Sequence, residues 1–205
     1  MRTDVIWEQL AGKGLEHLIL HRDRTIQADS LAVGMIEESA YRIKYQIVCS
    51  ADWIVQKVRV EDLLTDKSLV FMNDADGNWT DEKNNPYKEL KGCLDVDIRI
   101  TPFTNTFPIN RLKLSHHESR EIAVVYFKIP ALAFSKLDQR YTLIAQEQDH
   151  KVYKYESLSS GFTSDIKVDA DGLVTDYPGI FKMAWKQTEY SMPQETLVLN
   201  LGAEH

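Results

Sequence analysis

Apolar and polar positions alternate with a period of two along most of the chain. In YRIKYQIVC, Tyr41, Ile43, Tyr45, Ile47 and Cys49 fall on one side, with Arg42, Lys44 and Gln46 on the other. That is the pattern of a strand with one buried face. WIVQKVRV repeats it, with Ile54, Val58 and Val60 opposite Lys57 and Arg59. The short SAD turn between the two runs predicts a hairpin. CLDVDIRI sets Leu94, Val96, Ile98 and Ile100 against Asp95, Asp97 and Arg99. EIAVVYFKI is apolar on both faces, which predicts a strand covered on both sides. RYTLIAQ, KVYKYES, FTSDIKVD and IFKMAW add further strands.

Two similar turns punctuate the series, NDADGNW with Gly77 and VDADGLV with Gly172. Asp-Gly before an apolar run predicts a hairpin turn, because glycine tolerates positive φ. Neither is a calcium loop. With each glycine at the loop's sixth position, the first and last ligand positions would hold Met72 and Lys83, or Lys167 and Pro178. Helical signals are weak, and VEDLLTD and PALAFSKLDQ are the candidates. TPFTNTFPINRL reads as a loop: Pro102 and Pro108 bias Thr101 and Phe107 towards extended geometry, and Asn105 suits the left-handed region. NWTDEKNNPYKELKG is the longest polar connection, and SHHESRE is a second exposed loop. The pattern predicts a mainly β chain with one domain over 1–190 and a tail over 191–205.

Composition narrows the function classes. Of 205 residues, 43% are hydrophobic and 27% charged, as in a globular protein. The net charge of -7 argues against electrostatic binding to nucleic acid or to an anionic bilayer. Cys49 and Cys93 stand in strand-like runs and suit buried free thiols in a reducing compartment. The first twenty residues lack the basic and apolar regions of a signal peptide. No apolar run approaches the ~18 residues of a spanning helix. The expected address is therefore the cytoplasm.

Enzymatic and cofactor motifs are sparse. There is no Gly-x-Ser-x-Gly, no Walker sequence and no Gly-x-Gly-x-x-Gly, so no cofactor is expected. His17 and His21 lie on one strand face some ~13 Å apart, too far to share a metal, and His116-His117 reads as solvated. No metal site is expected. Asp95 and Asp97 share a face with Arg99 and would sit ~6.6–7 Å apart, within the range of acid/base pairs. They could be a solvated face, a polar cavity wall or a catalytic pair. In the loop, Thr104, Asn105 and Thr106 stand beside Phe103 and Phe107. They make either a self-satisfied turn or fixed hydroxyl and amide groups for an uncharged polar ligand such as a sugar. Arg111 would then meet an anionic group.

GCLDVDIRITPFTNTFPINRL closely resembles the signature of a bacterial family described as "Putative glycolipid-binding", formerly a domain of unknown function. KIPAL, QRYTLI and VDADGLVTDYPGIFK resemble a second block of the same family, and similarity spans roughly residues 7 to 183. Asn110 departs from the pattern, where a second basic residue would be expected. The resemblance implies a spiral β-roll, a long many-stranded antiparallel sheet curled around a single helix. It also implies a cytoplasmic homodimer without catalytic residues. Together with the loop chemistry it predicts a binder of an amphipathic lipid or glycolipid. Thr104, Asn105, Thr106 and Arg111 would line the rim of its pocket, with Arg59, Trp79 and Tyr177 nearby and Asp95, Asp97 and Arg99 on the adjoining strand. The alternatives are an enzyme using Asp95 and Asp97, and a scaffold without a ligand.

Overall fold

Alternating strands joined by tight turns pair with their sequence neighbours, and that is how this chain builds one continuous sheet. The computed structural model describes residues 1–189; the expected tail over 191–205 lies outside the described residues. The first strands are β1 (Arg2–Gln9), β2 (Gly14–Arg22), β3 (Thr25–Ile36) and β4 (Ser39–Ser50). β5 (Val55–Asp62), β6 (Lys67–Asn73) and β7 (Trp79–Thr80) complete the first half. The short β8 (Asp95–Ile98) precedes α1 (Thr106–Leu112), and β9 (Ser119–Lys128), β10 (Ala133–Gln146) and β11 (His150–Ser157) follow. The last strands are β12 (Thr163–Asp169), β13 (Val174–Tyr177) and β14 (Phe181–Glu189).

Among the described residues, 14 strands form one sheet in the order β7-β6-β5-β4-β3-β2-β1-β14-β13-β12-β11-β10-β9-β8. Every pairing is antiparallel except β8 with β9, which is parallel. That exception to the expected antiparallel sheet follows from α1, which returns the chain to β9 in the same direction. The β4–β5 hairpin is as expected, with one change. A bulge between Val48 and Cys49 brings Val55 rather than Ile54 to the buried face beside Val58 and Val60.

The sheet curls until its ends meet. Phe71 on β6 packs edge-on to Phe127 on β9, with ring centroids 5.4 Å apart. Trp79 Nε1 donates to the Cys93 carbonyl at 2.8 Å, and the Gly92 N–H donates to the Gly77 carbonyl at 2.9 Å. A Cβ at Gly77 would lie 2.9 Å from the Gly92 backbone, so this closure needs a glycine.

The helix is where a loop was expected. A 3-10 turn over Phe103–Asn105 runs into α1, making the second half of TPFTNTFPINRL the one α-helix among the described residues. Pro108 sits in its first turn, where the missing N–H has no helical acceptor to lose. Phe107 is helical rather than extended, and Asn105 is right-handed at φ -66. The two segments with helical signals are otherwise placed: Val60–Asp62 ends β5 ahead of a turn, and Ala133 onwards is β10. Phe103 and Phe107 are fully buried against a core that includes Trp7, Tyr45 and Trp53. Ile109 and Leu112 face a second cluster built on Leu143, Tyr153 and Ile166.

One strip of the sheet therefore lies inside the roll. On β8, Val96 and Ile98 join the first core while Asp95 faces the other way and is also fully buried. On β9, Val125 and Phe127 belong to the first core, and Val124 on the opposite face is equally buried. The apolar run EIAVVYFKI is thus covered on both faces at its centre, as expected for a partition between two interiors.

Candidate functional site

A cavity of about 580 Å3 opens on the polar face of that partition. Strand register builds it: Asp97 on β8 pairs with Tyr126 on β9, and Tyr126 pairs with Ser135 on β10. These three side chains consequently stand side by side on one face. Arg99 and Lys128 lie one pleat further along the same face, and both are exposed. Tyr155 and Ser157 of β11, Tyr177 of β13 and Phe181 of β14 form the opposite wall. Thr101 and Asn105 close the end nearest the helix. The turn after β11 contributes Ser159, Ser160 and Phe162, and Phe162 is 42% exposed.

The two carboxylates of β8 have different partners. Asp95 is bound by Arg111, whose Nε donates to Oδ1 at 3.1 Å and whose Nη2 donates to Oδ2. Burial raises the Asp95 carboxyl above its ordinary range, and Arg111 pulls it back. Among the described residues, Asp97 accepts only from neutral groups, Gln139 Nε2 at 2.6 Å and Thr104 Oγ1 at 3.5 Å. Burial pushes its pKa up to about 6, with the Gln139 and Thr104 hydrogen bonds acting the other way. A solvent-facing strand is the reading that fails for this pair. The helix and the second cluster cover the face that alternation alone would leave in water.

Of the residues predicted to bind, Asp97, Arg99, Asn105 and Tyr177 line the cavity. Thr104 stands behind it, where its hydroxyl accepts from the Ile98 N–H at 3.3 Å and donates to Asp97. Asn105 is held at both ends of its amide, accepting from the Tyr141 hydroxyl at 2.7 Å and donating to the Pro102 carbonyl at 3.0 Å. The Thr106 hydroxyl is buried with no partner among the described residues. Arg111 is taken up by Asp95 and does not line the cavity. Arg59 pairs with Glu61 on the outer face of β5, and Trp79 is buried at the closure of the roll. Neither comes to the cavity.

Sequence reasoning missed Tyr126, Tyr155, Ser157 and Lys128. By pattern the tyrosines are ordinary strand residues, and the signal available was KVYKYES, whose Tyr153 and Tyr155 share a face. Burial raises the phenols of Tyr126, Tyr155 and Tyr177, and the Asp97 charge raises them further. They stay neutral donors at ordinary pH. Asn110 serves the fold instead of an anion. Its Nδ2 donates to the Asp171 carbonyl at 3.0 Å, and its amide covers Gly172. Gly172 and Gly77 both carry the positive φ that the two Asp-Gly turns predict.

Both cysteines are free and buried. Burial pushes the Cys93 thiol up to about 11 and raises Cys49 further, so neither is a nucleophile at neutral pH. Among the described residues, no helix is long and apolar enough to cross a membrane.

Residues 4–183 match the family described as "Putative glycolipid-binding". The fold is similar to the crystal structure of a DUF1089 family protein from Pseudomonas aeruginosa. That chain is 35% identical, with a TM-score of 0.72, over 82% of this chain and 91% of that one. No curated protein matches.

Proposed function

The chain belongs to the family described as "Putative glycolipid-binding", and from that premise we propose that it holds the head group of an amphipathic lipid in the β8–β11 cavity. The observation that carries this reading is the cavity itself, about 580 Å3 with a polar floor and aromatic walls. Its volume lies in the roughly 300–1,000 Å3 range of small-ligand sites. That suits a head group better than two full acyl chains. Rings at Tyr155, Phe162 and Tyr177, with centroids 6.2–6.4 Å apart, offer flat apolar surface to a sugar or to the start of a chain. Ser135, Ser157 and Ser160 offer hydroxyls beside them.

The enzymatic alternative needs Asp95 and Asp97 to work as acid and base, and the Asp95–Arg111 ion pair speaks against it. A ligand-free scaffold would have little use for the cavity. Buried free thiols support a reducing, cytoplasmic setting for the binder. The exposed Leu15, Leu31, Val33 and Met35 on the outer faces of β2 and β3 support a homodimer. Calorimetric titration with octyl glucoside, alongside mass spectrometry of lipid extracted from the purified protein, tests the reading. Binding that weakens on Tyr177→Ala is the expected result. Absence of any bound or bindable amphiphile would sink it.

A further inference from the structure

Among the described residues, the charge in this cavity that lacks a counter-ion is Asp97. Asp95, two residues earlier on the same face, has the Arg111 guanidinium, whereas Asp97 has two neutral donors. Arg99, the next residue on that face, turns its Nη1 to the Ile129 carbonyl at 3.4 Å instead. The groups facing Asp97 from the other elements are neutral: Tyr126 on β9, Gln139 and Tyr141 on β10, Tyr155 on β11 and Tyr177 on β13. Arg99 and Lys128 are exposed at the mouth. Charge therefore runs from positive at the mouth to negative at the floor.

A partly desolvated carboxylate without a counter-ion favours a ligand that supplies one, and phenol rings beside it add cation–π attraction. A neutral sugar would leave Asp97 without a counter-ion, and an anionic group would be repelled from the floor and held at the mouth. We infer that the cavity selects head groups carrying a protonated amine, which docks on Asp97 beside Tyr126, Tyr155 and Tyr177. The ligand's anionic part then faces Arg99 and Lys128. This inference rests on the reading of the cavity as a head-group site.

A matched pair of probes separates the two ideas: dihexanoyl phosphatidylethanolamine and its N-acetyl derivative, which has lost the ammonium. Calorimetry at neutral pH is expected to show the amine bound about ten-fold or more tightly, the scale of one charge-assisted hydrogen bond. Asp97→Asn should bring the two within about two-fold, the residue of lost charge assistance, and Tyr177→Ala should weaken both. Equal binding of both probes by the wild type, still weakened by Tyr177→Ala, overturns the amine inference and leaves the head-group site standing. If neither probe nor octyl glucoside binds, both fall. Should Asp97→Asn not fold, the wild type decides by pH. The amine stays protonated throughout, so its advantage should fade as pH drops through about 6, where Asp97 takes up a proton. An advantage constant across that range overturns the inference.

Discussion

The two faces of β8 are the most instructive comparison in the molecule. One presents Val96 and Ile98 to a dry core shared with Phe103, Phe107 and Trp7. The other presents Asp95 and Asp97, one ion-paired and fully buried, the other on the floor of a cavity. Alternation ordinarily separates core from solvent. Here both sides are interior, because the sheet curls far enough to enclose its own edge. The polar side is tolerable because Arg111, Gln139 and Thr104 satisfy the carboxylates. The 3-10 turn and the helix together serve both sides, giving Phe103 and Phe107 to one and Arg111 to the other.

Breaking either face should have the largest effect. Phe103→Ala on the dry side is expected to lose about 3–5 kcal/mol of stability, read by denaturant unfolding. Arg111→Met on the polar side should cost a similar ~3–5 kcal/mol, because Asp95 is left buried without its partner. Replacing both, as Asp95→Leu with Arg111→Met, should recover most of that loss. Failure to recover would mean the pair also fixes the helix in place.

A third test concerns the acid on the dry side. Glu16 is buried on β2, where Ser30 Oγ donates to its Oε1 at 2.7 Å and Tyr45 donates to the same oxygen. Its Oε2 has no partner among the described residues. Burial raises its pKa to about 7 from an ordinary 4.5. A carboxyl raised in the folded state binds more protons folded than unfolded. Its stabilising contribution is full below the ordinary value and is lost as pH rises through about 7. Glu16→Gln should therefore be nearly neutral in mild acid and more stable by on the order of 2–3 kcal/mol in mild base. Thermal melts of both proteins across that range measure it, and parallel curves would refute the assignment.

Smaller effects sharpen the periphery. Gly172→Ala places a side chain at φ +77 and a Cβ 2.6 Å from the Asn110 amide, so a loss of about 1–2 kcal/mol is expected. The double variant with Asn110→Ala should relieve the overlap but not the backbone strain. Arg59→Ala, on the outer face of β5, should stay within about 0.5 kcal/mol of wild type. Titration with octyl glucoside should give the same result with it as with wild type.

Much of the strand content was legible because it rests on local repetition. Tyr41, Ile43, Tyr45, Ile47 and Cys49 are all buried as alternation requires, and Gly77 and Gly172 turn where Asp-Gly predicts. The helix was not legible. Seven residues give too little periodicity, and Pro108 argues for extension when read without its position in the first turn. Within the candidate site, Asp97 and Tyr177 were accessible as polar or aromatic residues in a distinctive stretch. Tyr126 and Tyr155 reach the cavity only through the register of β9 and β11.

By itself, then, the sequence determined many of the strands and their turns, the two faces of β8 and the rigid, aromatic-rich segment that follows it. These depend on side-chain size, polarity and backbone freedom within a few residues. Only the tertiary structure decided what covers each face. Arg111 reaches Asp95 across 16 positions and Gln139 reaches Asp97 across 42. Contacts at such separations follow from the curl of the whole sheet. That curl sums small twists over many strands, and no local pattern records it.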